Sequence, residues 1–312
     1  MSDFMPAYLR TVADGILEQR VRQGLDALAC CTLCPRRCRV DRTAGETGYC
    51  RTGYQAVVAS YNAHFGEEAP LVGKNGSGTI FFSHCNLLCN FCQNFAISHL
   101  GEGEPMDDRR LADAMLELQR QGCHNINLVT PSHVVPQILA AVRLAAEQGL
   151  MLPLVYNCGG YDRVETLQLL DGIVDLYMPD FKFWNSETAE DTCNAPDYPD
   201  VARRAILEMH RQVGDLHVDD ASGLAQRGLL VRHLVLPGGL AGTANVMHFL
   251  AGEVSRDTYV NLMSQYRPCG RAADVRALAA SLSPLEYDQA VREARAAGIH
   301  RLDRPRRVFQ LW

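Results

Sequence analysis

The sequence contains no run of about 18 apolar residues, so no segment reads as a membrane-spanning helix. Its first residues, MSDFMPAYLR, lack a basic segment followed by an apolar core, and no secretory signal is read there. The expected location is the cytoplasm. Positive charge is not in excess: 30 Lys and Arg stand against 36 Asp and Glu, a net charge of -6. That balance gives no global footprint for nucleic acid or an anionic membrane. Low-complexity tracts and internal repeats are absent. With 47% hydrophobic and 21% charged residues, the composition supports a full core and excludes wholesale disorder.

Cysteine, by contrast, is abundant, with 12 in 312 residues. In a cytoplasmic chain stable disulfides are not expected, and grouped cysteines read first as metal ligands or redox groups. Most of them fall in two tight groups, one near the N-terminus and one at residues 85–92.

The length allows two domains, or one barrel with an extension. Residues 7–29 carry apolar side chains at three- and four-residue spacing (Leu9, Val12, Ile16; Val21, Leu25, Leu28) and are predicted helical. A loop-like stretch, CCTLCPRRCRVDRTAGETGYC, follows, then a short strand at 55–61 and a Gly-rich turn, GKNGSG, at 73–78. From residue 78 apolar runs at 79–83, 125–130, 152–157, 173–178, 228–236 and 258–263 alternate with helical patterns at 107–121, 134–147, 163–170, 200–213 and 243–254. Near-continuously apolar strands between helices imply a parallel sheet covered by helices. Six units are too few for a closed eightfold barrel and leave an open or partial barrel, or a doubly wound sheet. A final amphipathic helix is expected at 284–298. The predicted organisation is an N-terminal helix and Cys-rich extension at 1–75, a core domain at 76–270 and a helical tail at 271–312.

The segment HCNLLCNFCQN reads C-x3-C-x2-C, with Cys85, Cys89 and Cys92 just after the first apolar run. Three thiolates so spaced can wrap three corners of a [4Fe–4S] cube and leave the fourth iron open to a small molecule. A structural site would be closed by a fourth ligand. The competing reading is a zinc knuckle, with His84 or Cys123 as fourth ligand. Position favours chemistry, because reactive groups of βα folds collect at the C-terminal ends of strands.

Cys31, Cys34, Cys38 and Cys50 form a second group that fits tetrahedral zinc or a fully ligated iron–sulfur cluster, with Cys30 to spare. Reduced, unliganded thiols are the bland alternative. Arg36, Arg37, Arg39, Arg42 and Arg51 surround this group. They read as a solvated face that offsets thiolate charge, or as a grip for an acidic peptide, phosphate or RNA. Asp180 and Lys182, two apart at a strand end, can share a face. Arg232 sits inside an apolar strand and needs a partner. A plain ion pair at a strand end accounts for these three as well. His233 should face the other way. Asn157 and Tyr161 in YNCGGYD, and His64 with Glu67 and Glu68 in HFGEEAP, are further candidates. Cys123, Cys158, Cys193 and Cys269 read as packing residues, Cys158 being nearest the expected pocket.

The C-x3-C-x2-C loop after a first strand resembles the radical S-adenosylmethionine superfamily. LCPRRCRVDRTAGETGYC, HFGEEAPL, GTIFFSHCNLLCNFCQN, NLVTPSH, VYNCGGYD, VDLYMPDFKFW and RHLVLPG extend the resemblance, in order, to a branch related to pyruvate formate-lyase activating enzymes. The resemblance implies a partial (β/α)6 barrel with the cofactor across its open top. It implies that Phe91 packs near the adenine, that Asp180 and Lys182 line the site, and that Arg232 binds the cofactor carboxylate. His84 and Leu88 stand where relatives often have Gly and Arg. NLVTPSH replaces a Gly-Gly-Glu element that holds the cofactor amino group, leaving Thr130 and Asn127 as candidates. The implied activity is reductive cleavage of S-adenosylmethionine to a 5′-deoxyadenosyl radical, with electrons from a flavodoxin or ferredoxin. The radical's target is a glycyl-radical enzyme, a small molecule, a peptide or RNA, the last disfavoured by the net acidity. The alternative outside enzymology is a non-catalytic iron–sulfur or electron-carrier protein.

Overall fold

The computed structural model describes residues 4–303. The expected first helix is two helices, α1 (Ala7–Ala13) and α2 (Ile16–Asp26). They part at Gly15, whose φ of 71° is a left-handed conformation that favours glycine and ends a helix. β1 (Ala56–His64) follows the Cys-rich loop, then the single turn α3 (Ala69–Val72) and β2 (Ser77–Phe82). The short β3 (Glu104–Met106) precedes α4 (Asp108–Arg120), which Asp107 caps by accepting from Arg110 N–H at 2.8 Å. β4 (Ile126–Val129), α5 (Val135–Glu147), β5 (Leu154–Cys158), α6 (Val164–Gln168) and β6 (Leu176–Pro179) continue the alternation. Next come α7 (Ser186–Cys193), α8 (Tyr198–Val213), β7 (His217–Val218), β8 (Ala225–Leu234), α9 (Thr243–Phe249), β9 (Tyr259–Met263) and α10 (Pro284–Ala296).

These strands form one sheet. β2, β4, β5, β6, β8 and β9 lie side by side, parallel and in chain order. β1 adds antiparallel to β2, β3 to β1, and β7 to β8. The chain is thus a mixed α/β protein with a central sheet flanked by helices. Among the described residues no helix is long and apolar enough to cross a membrane.

Strand residues alternate between faces. Ile80, Phe82, Ile126, Leu128, Tyr156, Tyr177, Leu229 and Val231 join the large core beneath the helices. Val155, Leu176, Met178 and Leu230 point the other way, into a second, smaller core closed by Leu71 and Leu216. Asn127, Asn157 and Arg232 share this second face by alternation, and Asp180 continues it just past β6.

α1 is anchored by a buried carboxylate. Asp175 accepts from Ala7 N–H at 2.8 Å and from Leu154 N–H at 3.0 Å. Losing both bonds in Asp175→Ala is expected to cost about 3 kcal/mol in a urea melt. Burial pushes this carboxyl up to about 7 from 3.8. The folded state therefore takes up the proton before the unfolded chain does. The contribution of this group is greatest below the unfolded value and is lost as pH rises to about 7. The stability gap between wild type and Asp175→Asn should accordingly shift in favour of wild type between about pH 8 and about pH 5.

Candidate functional site

The loop after β2 carries Cys85, Cys89 and Cys92. Its shape is fixed by backbone bonds: Ser83 N–H to Val57 O at 2.8 Å, His84 N–H to Ile97 O at 2.9 Å, Asn90 N–H to Thr192 O at 2.9 Å. His84 and Leu88, each just before a cysteine, adopt left-handed φ of 68° and 54°. Such conformations cost non-glycine residues energy and persist only where the surroundings impose them. Hydrogen-bond donors point at two of the sulfurs: Leu87 N–H at 3.3 Å from Cys85 Sγ, and Ser98 Oγ–H at 3.2 Å from Cys92 Sγ. Burial pushes the Cys85 thiol up to about 12, with Cys89 and Cys92 close enough to add to the rise. The Cys89 thiol is raised first by Cys193 and then by burial, while Lys182 pulls it, and Cys92, partly back.

Beside this loop, at the C-terminal ends of β5, β6 and β8, four predicted residues meet. Asp180 accepts from Lys182 Nζ at 2.6 Å and from Arg232 Nε at 2.8 Å. Arg232 Nη2 donates to Asn157 Oδ1 at 2.5 Å, and its Nη1 lies 3.5 Å from Glu67 Oε2. Burial alone would raise the Asp180 carboxyl, but Arg232 and Lys182 outweigh it and hold it below its ordinary range. Glu67 has its carboxyl raised, by burial above all. The HFGEEAP segment therefore reaches the same cluster, and Glu68 accepts from Asn261 Nδ2 at 2.7 Å.

Tyr198 supports this edge, its hydroxyl accepting from Lys182 N–H at 2.9 Å and lying 2.9 Å from Asp180 O and 3.0 Å from Gly159 O. Gly160, at φ 76°, permits the approach, since a Cβ there would collide with the Asp180 carbonyl. Asn127 is fully buried, and among the described residues neither atom of its amide finds a partner. Thr130 closes β4 with N–H to Asn157 O at 2.9 Å and a φ of 61°, an outlier for a β-branched residue.

Other predicted residues are placed apart from this cluster. Phe91 is buried edge-on between Phe183 and Tyr266. The Tyr161 hydroxyl is taken by Asp197 at 2.7 Å. His233 lies in the core, as expected, between Phe181 O at 2.6 Å and Thr243 Oγ1 at 2.9 Å. Cys158 sits in the large core, on the face of β5 opposite Asn157. Cys193 is a surprise. Its Sγ lies 3.3 Å from Cys89 Sγ, because α7, absent from the sequence reading, backs the loop.

Cys31, Cys34, Cys38 and Cys50 line one enclosed space, with Arg42 and His133 at its rim. Burial pushes Cys34 up to about 12, with the other three thiols adding to the rise. Tyr49 N–H donates to Cys38 Sγ at 3.2 Å. Cys30 is exposed. Among the described residues no group of three or more His, Cys, Asp and Glu side chains is arranged to hold one metal ion. The corners of a four-iron cube lie farther apart than the ligands of a single ion, so at 85–92 the donor set is the feature that bears on a cluster. That set consists of soft thiols met by N–H and O–H groups, and it fits a cluster. The arginine run is split: Arg42 is buried and donates to Gly53 O and His133 O, both at 2.8 Å, whereas Arg37, Arg39 and Arg51 are exposed.

Fold and geometry together define an α/β protein with a three-cysteine loop and a charged cluster at one edge of a parallel sheet. The chain is 30% identical over 291 residues to the uncharacterized protein MJ0674 of Methanocaldococcus jannaschii, a match spanning 91% of this chain and 79% of that one, and it belongs to the same family. No protein-family model matches it.

Proposed function

We propose that the chain is a radical S-adenosylmethionine enzyme whose [4Fe–4S] cluster is held by Cys85, Cys89 and Cys92. One observation carries this reading. Three thiols sit on a single strained loop at the C-terminal end of the first parallel strand, beside Asn157, Asp180, Lys182 and Arg232. Six parallel strands in chain order support a partial (β/α)6 barrel, because a doubly wound sheet would reverse its strand order. Held by Cys85, Cys89 and Cys92, the cluster would supply one electron for cleavage of the cofactor's sulfur–C5′ bond into methionine and a 5′-deoxyadenosyl radical.

The chain's residues bind and orient. Arg232 offers a planar fork to the cofactor carboxylate. Lys182 places a cation near the thiolates. The amide of Asn127, without a partner among the described residues and on the same face, offers an acceptor and donors to the cofactor's polar end. An external flavodoxin or ferredoxin is the expected electron source. The substrate is a glycine backbone of a partner enzyme, a small molecule or a peptide. RNA is disfavoured, since Arg36 and Arg42 of the basic run are spent on protein carbonyls. For the four N-terminal thiols a second iron–sulfur cluster is the reading that remains, since no group among the described residues is arranged to hold a single zinc ion.

A second reading is an electron carrier whose cluster is closed by a fourth thiolate; Cys193 would have to move off Cys89 to supply it, since the two sulfurs lie 3.3 Å apart and cluster corners lie farther apart. The test is anaerobic reconstitution with iron and sulfide, then dithionite and S-adenosylmethionine, with 5′-deoxyadenosine as readout. Product from wild type supports the enzyme. A full cluster whose spectrum ignores S-adenosylmethionine, with no product, supports the carrier.

A further inference from the structure

Arg36 lies within the N-terminal cysteine group, between Cys34 and Cys38, yet its side chain belongs to the other cysteine loop. Its Nε donates to Asn86 O at 3.0 Å. Its Nη2 donates to Cys193 O at 2.8 Å and reaches Leu87 O at 3.5 Å, and its Nη1 donates to Asn194 O. The guanidinium is stacked 3.9 Å over the Tyr49 ring and lies 5.2 Å from that of Tyr161. Among the described residues no carboxylate forms an ion pair with it.

Asn86 and Leu87 fill the interval between Cys85 and Cys89, just before the strained Leu88. Cys193 and Asn194 end α7, where helix carbonyls lack intrahelical partners and favour a cation. Cys193 also presents its thiol to Cys89 at 3.3 Å. One planar group thus ties together the N-terminal cysteine unit, the cluster loop and the helix behind it. Lysine cannot replace it, since a single ammonium lacks the fork that reaches several carbonyls at once.

We propose that Arg36 is a positioning residue for the cluster. It holds the Cys85–Cys89 interval in its strained shape, fastens the N-terminal cysteine unit to it, and places a positive charge with no carboxylate partner on the carbonyls of Asn86, Leu87 and Cys193 that flank the cluster thiols. This rests on the cluster reading of Cys85, Cys89 and Cys92. Two consequences are separable. Loss of the grip loosens the cluster, and loss of the charge lowers its reduction potential, because net charge around a cluster sets that potential.

The experiment compares wild type, Arg36→Ala and Arg36→Lys after reconstitution, with thermal melts as a check on folding. Iron release to a chelator and the midpoint potential, followed by electron paramagnetic resonance, are the readouts. Both variants should release iron about tenfold or more faster than wild type, the usual size of a lost outer contact to a metal site. The potential should fall in Arg36→Ala and move less in Arg36→Lys, which keeps a charge. Millimolar guanidinium should slow iron release from Arg36→Ala alone. Unchanged release and potential in Arg36→Ala overturn the proposal. Faster release with an unchanged potential and no guanidinium rescue marks general loosening and overturns it too. A wild type that binds no more iron than the triple variant Cys85→Ala/Cys89→Ala/Cys92→Ala overturns the cluster reading itself, before any Arg36 variant is made.

Discussion

Alanine at Cys85 or Cys92 is expected to strip the cluster, and alanine at any of the three loop cysteines to reduce 5′-deoxyadenosine formation to background. On the proposed reading each thiol supplies one corner, and the described residues place no second thiol in contact with Cys85 or Cys92, whose neighbours are the Leu87 N–H and the Ser98 hydroxyl. Cys89 is different, because Cys193 stands 3.3 Å away and offers a replacement sulfur. Cys89→Ala should therefore retain more loop iron than Cys85→Ala, with both failing in product formation. Cys158→Ala, on the opposite face of β5, should be unchanged in iron and product. Iron and sulfide analysis of the purified variants reads the first effect, and product chromatography the second. Full iron content in Cys85→Ala would sink the assignment of the loop.

Asp180→Ala is the second large effect. The carboxylate sits between Lys182 and Arg232, with the three side chains only 14–18% exposed. Removing it leaves two shielded cations facing each other. Breaking such a pair from one side costs about 3 kcal/mol, a fall in melting temperature of roughly 5 °C for a chain of this size. Asp180→Asn keeps the shape and one acceptor, and should lose less. The pH dependence has a definite sign. The folded carboxyl titrates below its unfolded value, so its contribution is present above that value and lost as pH falls through the lowered one. On the proposed reading S-adenosylmethionine should raise the melting temperature of wild type, and Asp180→Ala should cancel that rise, since the Arg232 fork is no longer oriented. A variant that melts like wild type and still responds to S-adenosylmethionine would separate this cluster of charges from the binding site.

The strands of the sheet were legible because parallel strands buried on both faces read as apolar runs, and each of the six runs holds one. The faces of α4 and α5 were legible from their periodicity. β3 was not, because it is three residues long, two of them exposed and only Met106 half-buried, and shows no apolar run. Nor was α7, whose NSETAEDTC buries only Ala189, Thr192 and Cys193 and shows no apolar stripe. Its one signal was Asn185 ahead of Ser186 and Glu187, the pattern of a capped helix start. With α7 unseen, Cys193 read as packing. The Asp180–Lys182–Arg232 cluster was legible because a charged residue inside an apolar strand demands a partner. Glu67 was noticed but not joined to Arg232, since nothing in the sequence says which loop crosses to β8. Arg36 was hidden for a different reason. Its partners are backbone carbonyls 50 to 158 positions away, and a carbonyl carries no residue identity to read.

That distance along the chain has a consequence for biosynthesis. All three loop cysteines are made once residue 92 is joined, but the carbonyls of Cys193 and Asn194 that Arg36 grasps come roughly 100 residues later. At about 5–20 residues per second, the growing chain passes some 5–20 seconds with its thiols in place and their backing unmade. An iron–sulfur donor acting in that interval would meet a loop not yet held in its strained shape. Cluster insertion is therefore expected to follow synthesis of α7, and chains arrested before residue 194 should emerge with their loop thiols open to alkylation.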